Sequence, residues 1–280
     1  MNPLERLKLD AFPQPEPIML QHPVLLCHGF GALGNFVSKG LLHSSCMLLR
    51  SHGVLAFAPN ILPYGRINTR AEAWCEIIDV IKAKTGASKL HVIAHSMGGL
   101  DIRYAISRLA RHTDILSLTT ISTPHQGTSL AKLTLNTPDP IRENVLSIMN
   151  WFGNNVYPNI PSDVLGALRQ LSPEYVRQEF NPATPNHPEV VYQSVTAACG
   201  KGTDIPINKL LIAFNNYIYE REGLNDGYVP TEGARWGTLI AETTLSHAEQ
   251  IRLNISSKKI PQWRDLWVEI AQSLRKTEPG

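Results

Sequence analysis

No stretch of this 280-residue sequence approaches the ~20 consecutive apolar residues that a helix needs to cross a bilayer. Residues 1–18 also lack an apolar core segment. They mix Glu5, Arg6, Lys8 and Asp10 with four prolines, which excludes a secretory signal in the sequence as written. The expected location is the cytoplasm, with a secreted mature form whose leader has been removed as the alternative. Charge is equally sparse: 26 Lys and Arg against 24 Asp and Glu leave a net +2, with no block of one sign. That balance argues against a nucleic-acid partner and against an electrostatic membrane anchor. Four cysteines, Cys27, Cys46, Cys75 and Cys199, form no Cys-x-x-Cys pair and suggest no disulfide framework. Cys27 and Cys75 sit in apolar patterns and read as buried thiols. Repeats and low-complexity tracts are missing too. What remains, 43% hydrophobic and 18% charged residues, suits one globular domain with a full core.

The apolar runs give that domain its class. Val24 to Cys27 is a short buried strand ending in His28-Gly29-Phe30-Gly31, a glycine-rich turn. A helix-like stretch spans Leu41 to Ser51, and a second strand run, Val54 to Ala58, closes at Pro59. Thr69 is placed to cap a helix on which Ala71, Trp74, Ile77, Ile78 and Ile81 recur at helical spacing, and Gly86 stops it. Strand runs follow at Leu90 to Ala94 and Ile115 to Ile121, with a helix from Met97 to Arg111 between them. Strands alternating with helices, and apolar throughout, predict a mostly parallel sheet covered on both faces. From about Leu130 to Pro188 strand patterning stops, and this stretch is expected to be an inserted helical cap. Strand runs resume at Val190 to Ala197 and Thr238 to Thr244, and a last helix is expected over Pro261 to Lys276.

Between the third strand and the next helix lies Ala94-His95-Ser96-Met97-Gly98-Gly99. A serine on a tight, strained strand-to-helix turn needs small residues two before and two after it, and Ala94 and Gly98 meet that demand. Ser96 is thereby the candidate nucleophile. Acyl transfer at such a serine also requires two backbone N–H groups aimed at the developing oxyanion. Met97, directly after the serine, would supply one, and Phe30, in the glycine-rich turn after the first strand, the other. His28, His95 and His125 read as structural.

The base should follow the last strand, and of the histidines after Ser96 only His247 does so. The acid is Asp226, in Asn-Asp-Gly 21 residues before His247, with Asp204 as its rival and a simple turn as the alternative for Asn225-Asp226-Gly227.

With these residues in place the chain is similar to the bacterial family I triacylglycerol lipases and their fungal relatives. The similarity runs from about Pro23 to Leu253. It is carried by VLLCHGFG, HVIAHSMGGLDIRYAI, TTISTPHQGTSLA, LNDGYVPTEGARWG and the SHAEQI segment, in that order. The resemblance implies an α/β-hydrolase fold, a triad of Ser96, Asp226 and His247, an oxyanion hole at Phe30 and Met97, and a lid over 130–188. The substrate it implies is an ester or lipid, with transient contact at a lipid interface. Ile141, Val145, Ile148, Met149 and Phe152 form one helical stripe in the lid region, and Ile148, Met149 and Phe152 are its expected substrate-binding residues, core packing being the alternative. The family often carries a structural Ca²⁺ on an aspartate two residues after the base and another before the acid. Here the first position is Glu249, and Asp204 falls near the second. Solvated loop carboxylates are the other reading of that pair. No organic cofactor is required. An acyltransferase or a polyester depolymerase would use the same residues, whereas a catalytically dead binding module would be expected to lose the serine or the histidine.

Overall fold

The computed structural model describes residues 15–30, 40–135 and 163–278. In chain order its main elements are β1 (Val24–Cys27), α1 (His43–Ser51), β2 (Ala56–Phe57), α2 (Ile67–Thr85), β3 (Leu90–His95), α3 (Gly98–Arg108) and β4 (Ile115–Ile121). There follow α4 (Ser129–Leu135), α5 (Val164–Gln170), β5 (Val191–Ala197), α6 (Ile212–Glu222), β6 (Thr238–Thr243) and α7 (Ile260–Arg275). The six strands form one sheet in the order β2-β1-β3-β4-β5-β6, and every neighbouring pair is parallel. Among the described residues no helix is long and apolar enough to cross a membrane.

The two-residue alternation of a strand divides the core. Val24, Leu26, Ile93, Ile121 and Val195 face one layer, in which α1 supplies Leu49 and α7 supplies Trp263, Trp267 and Ile270. Leu25, Cys27, Val92, Ala94 and Leu118 face the other, with Trp74 and Ile78 of α2 and Ile102 and Ile106 of α3. Helices therefore cover both faces, which is why the strands read as continuous apolar runs. All four cysteines are buried and unpaired.

Several boundaries move. The second strand shrinks from the expected run to Ala56–Phe57. The helix expected to be capped by Thr69 starts at Ile67, with Arg66 as the extended residue before it and no side-chain cap. Helix α6 has no counterpart in the periodicity. Its buried side includes the polar Asn215 beside Ile218, so the pattern that betrays an amphipathic helix is diluted there. Between β4 and β5 the described residues form short helices and no strand. Ile141, Val145, Ile148, Met149 and Phe152 lie outside the described residues.

Candidate active site

Ser96 follows the last residue of β3 with a φ of 57°, the left-handed region that a non-glycine residue adopts at a cost of about 1–3 kcal/mol. The surroundings hold it there. Its N–H donates to Ile121 O at 2.9 Å, and its carbonyl accepts from Thr123 Oγ1 at 2.7 Å and from Gly99 N at 3.1 Å. The small residues after it have a specific cause. A Cβ on Gly98 would stand 2.9 Å from the carbonyl oxygens of Cys27 and His28, and one on Gly99 would lie 2.2 Å from Thr123 Oγ1. Helix α3 is thus pressed against the end of β1 and the turn that follows it.

That turn lies close against the serine. A Cβ on Gly29 would lie 2.6 Å from Ser96 Cβ and 2.9 Å from Met97 N, so the backbone before Phe30 runs against the serine and the residue after it. The Phe30 ring meets Tyr64 edge-on, with centroids 5.5 Å apart, and the Met97 side chain is buried with Leu100, Ala131 and Ala167. Two hydrogen bonds fix the turn through His28: Nδ1 pairs with Gly29 O at 2.9 Å, and Nε2 accepts the Ile61 N–H at 3.0 Å. Burial, then the positive charge of Arg70, pushes the His28 pKa down to about 3, so the brace is neutral. Arg70 spreads its guanidinium over His28 O, Leu62 O and the buried Asp101 carboxylate, at 2.7, 2.6 and 2.9 Å. Neither Arg70 nor Asp101 stands out as a motif. The available signal was an arginine on the core-facing side of α2, one turn before Trp74.

His247 follows β6, and its imidazole joins two of the expected partners. Nε2 lies 2.9 Å from Ser96 Oγ, and Nδ1 lies 2.7 Å from Asp226 Oδ2. Asp226 is fully buried. Its Oδ1 accepts the N–H groups of Tyr228 and Val229 at 3.0 and 2.9 Å, and its Oδ2 also accepts Gln250 Nε2 at 3.1 Å. Burial alone would raise this carboxyl, but the facing His247 and the backbone donors hold its pKa below the ordinary carboxylate value. The turn before it is built from buried amides. Asn225 Oδ1 accepts from Gly227 N and Asn215 Nδ2, at 2.9 and 2.7 Å, which ties the acid to α6. Gly227 has a φ of 99°, a conformation that glycine alone adopts freely.

His95 packs beneath His247 with ring centroids 4.4 Å apart, and Tyr228 lies 5.1 Å away. Burial, and then the nearby His247, drives the His95 pKa well below its usual value. A neutral ring there does not oppose a positive charge on its neighbour. His125 is likewise buried, pairing with Thr120 Oγ1 and stacking on Trp236. Sequence reasoning missed Gln250, which donates to the acid and whose own carbonyl accepts the Trp267 indole N–H at 2.9 Å.

Asp204 lies exposed on the turn after β5, and the carboxylate that faces His247 is Asp226. Glu249 Oε2 is engaged by Ser246 N, Ser246 Oγ and the Lys259 ammonium, at 2.8, 2.9 and 2.8 Å. The Lys259 ammonium thus occupies one of the two oxygens that Glu249 could offer a Ca²⁺. Ile148, Met149 and Phe152 fall outside the described residues.

Chemically, the chain of hydrogen bonds can take a proton from Ser96 Oγ onto His247 while Asp226 stays ionised. Residues 68–235 match the model of the family described as "Putative serine esterase (DUF676)". Triacylglycerol lipase 2 of Saccharomyces cerevisiae is 33% identical over 198 residues, covering 68% of this chain and 55% of the yeast protein. A triacylglycerol lipase of Pseudarthrobacter phenanthrenivorans is 31% identical over 163 residues, 54% of this chain and 50% of its own. The chain spans about half the length of these two relatives. Among solved structures, a metagenomic carboxyl esterase superposes with a TM-score of 0.70 at 18% identity, covering 95% of this chain and 79% of that one. The mature lipase of Bacillus licheniformis superposes at 0.63 with 20% identity, covering 91% and 95%. The fold shared with them is that of the α/β-hydrolases.

Proposed function

From the premise that this chain belongs to that serine esterase family, we propose that it hydrolyses carboxylic esters by a two-step acyl transfer. One observation carries the reading: Ser96 Oγ, His247 and Asp226 are joined by contacts of 2.9 and 2.7 Å. His247 removes the hydroxyl proton as Ser96 attacks the ester carbonyl. Asp226 fixes the imidazole orientation and stabilises its positive form. The N–H groups of Met97 and Phe30 receive the oxyanion, which gains charge only as the tetrahedral intermediate forms. His247 then protonates the departing alcohol, and a water molecule activated by the same ring releases the acid. No step passes through a metal.

The substrate class is narrower by analogy with the lipase relatives: an acyl ester with an apolar chain. The sequence stripe of Ile148, Met149 and Phe152 supports this as acyl-binding surface. Ser96→Ala is expected to lower kcat by up to about 10⁶ while the protein melts as before. A fluorophosphonate probe should label Ser96 and no other serine, and p-nitrophenyl esters of increasing chain length would report acyl preference. Substantial turnover by folded Ser96→Ala would overturn the assignment.

A further inference from the structure

At the opposite end of β3 from Ser96, three side chains converge that the ester chemistry leaves unused. His91 is the second residue of β3, four residues and so about 13 Å along the strand from His95. It is fully buried and shares a face of the sheet with Ile93 and His95. His22 precedes β1, and Glu278 follows α7. His91 Nε2 lies 3.3 Å from Glu278 Oε1, and His22 Nδ1 lies 3.2 Å from the same oxygen. One ligand atom from each of the three residues lies within 4.8 Å of the other two, the one such group among the described residues.

We propose that His22, His91 and Glu278 form a binding site for a borderline divalent transition-metal ion, of which Zn²⁺ is the type. The donor set, two imidazole nitrogens and one carboxylate oxygen, suits zinc and not calcium, which takes oxygens. The spacing fits as well. Charge-assisted N–H···O contacts settle at about 2.7–2.9 Å. Two ligands of a tetrahedral ion, each about 2.0–2.1 Å from it, stand about 3.3 Å apart, close to the two separations here.

The ligands are also held before any ion arrives. Ser117, the cross-strand neighbour of His91 on β4, lies 2.7 Å from His91 Nδ1 through its Oγ, which turns Nε2 toward Glu278. Such a partner on the far ring nitrogen is characteristic of metal-binding histidines. Glu278 Oε1, the oxygen between the two rings, also accepts the N–H groups of Gln21 and His22, at 2.7 and 3.0 Å, which hold it in place while its remaining lone-pair direction faces the imidazoles. His22 and Glu278 retain 15% and 6% of their side-chain exposure, so an ion can enter from solvent and keep water in its fourth position. The ion would tie the segment before β1, the start of β3 and the segment after α7 together.

The test uses the full chain, stripped with a chelator and then given Zn²⁺ or Co²⁺. One Zn²⁺ should bind per chain, and at a hundredfold excess over its dissociation constant the melting temperature should rise by about 4–5 °C. Co²⁺ should give the strong visible bands of a four-coordinate ion. Glu278→Gln keeps an acceptor for the two backbone N–H groups but loses the charge, and His22→Ala removes a ligand at the solvent edge. Each should weaken the metal at least about tenfold while p-nitrophenyl acetate hydrolysis by the stripped enzyme is unchanged. A wild-type protein that neither melts higher nor colours with cobalt would overturn the proposal. So would stoichiometric binding that survives both substitutions at full affinity.

Discussion

Gln250 occupies the position in the site where a small change should read most directly in the chemistry. Asp226 Oδ2 serves two donors, His247 Nδ1 at 2.7 Å and Gln250 Nε2 at 3.1 Å, and Oδ1 is filled by backbone N–H groups. The amide therefore fixes which way the carboxylate faces the imidazole. Gln250→Met keeps the volume and removes the donor. It is expected to lower kcat on the order of tenfold, the equivalent of one charged hydrogen bond, and to leave KM unchanged, because no contact with bound substrate is lost. Steady-state kinetics beside a thermal melt would separate this from packing: a lower melting temperature with both constants intact would assign Gln250 to stability alone. At this scale the sequence is legible where chemistry demands a rare arrangement. Ser96 between Ala94 and Gly98 is such a case, and so is a histidine following the last strand. It is silent on Gln250, since a glutamine in a polar turn satisfies any number of local patterns. Asp226 is favoured over Asp204 already in the sequence, by its place 21 residues before His247 and before an apolar Tyr228-Val229-Pro230, and in the fold it is Asp226 that lies 2.7 Å from the His247 ring.

The turn after β1 and the start of α3 act as one unit, since the backbone of each fills the space where the other would place a side chain. Gly29→Ala brings a Cβ to within 2.6 Å of Ser96 Cβ and must drive the two segments apart. If Phe30 and Met97 supply the oxyanion donors as proposed, displacing one costs about a hundredfold or more in kcat, which is the loss expected on p-nitrophenyl acetate. Gly86→Ala is the control. Gly86 ends α2 at a φ of 70° with open space around it, so its substitution should cost roughly 1–2 kcal/mol of stability and no activity. Comparable kinetic losses in both variants would mean that the close approach at Gly29 is unimportant. Elements were legible in proportion to the clarity of their apolar pattern. β1 and β4 fall on the expected residues because both faces of the sheet are covered. β2 is shorter than its apolar run because only Ala56 and Phe57 pair in register with β1, Leu55 adding its carbonyl to Val24 N. Helix α6 escaped notice because Asn215, one of the residues it buries, spends its side chain on the Asn225 turn, a polar task that no apolar period announces.

Across the whole molecule, buried neutral histidines set the response to acid. His28, His95 and His125 are all buried, and desolvation depresses each of their pKa values, to about 3 for His28. In the unfolded chain each binds a proton near pH 6.5. Below that pH the unfolded state therefore carries more protons than the folded one, so stability rises with pH through this window and is lost as pH falls. The slope approaches about 1.4 kcal/mol per pH unit for each ring, or about 4 for the three together. Denaturant midpoints measured from about pH 7 down to about pH 5 should fall, though by less than the three rings alone would give. Burial lifts the Asp101 carboxyl to about 6, and its folded-state proton uptake works the other way. A profile that rises as pH falls would mean that these rings are protonated in the folded protein.

The all-parallel sheet has one more consequence, and it concerns time. Parallel neighbours cannot be joined by a tight turn, so each strand pairing closes a long stretch of chain, and His247 reaches Ser96 across 151 residues. Loop closure of this kind is paid in entropy before any contact rewards it, which makes such topologies slow to form. Ser96 follows β3, whereas Asp226 lies beyond β5 and His247 beyond β6. The proposed triad is therefore complete only when these long-range pairings have closed, and activity on refolding is expected to return no sooner than the native sheet.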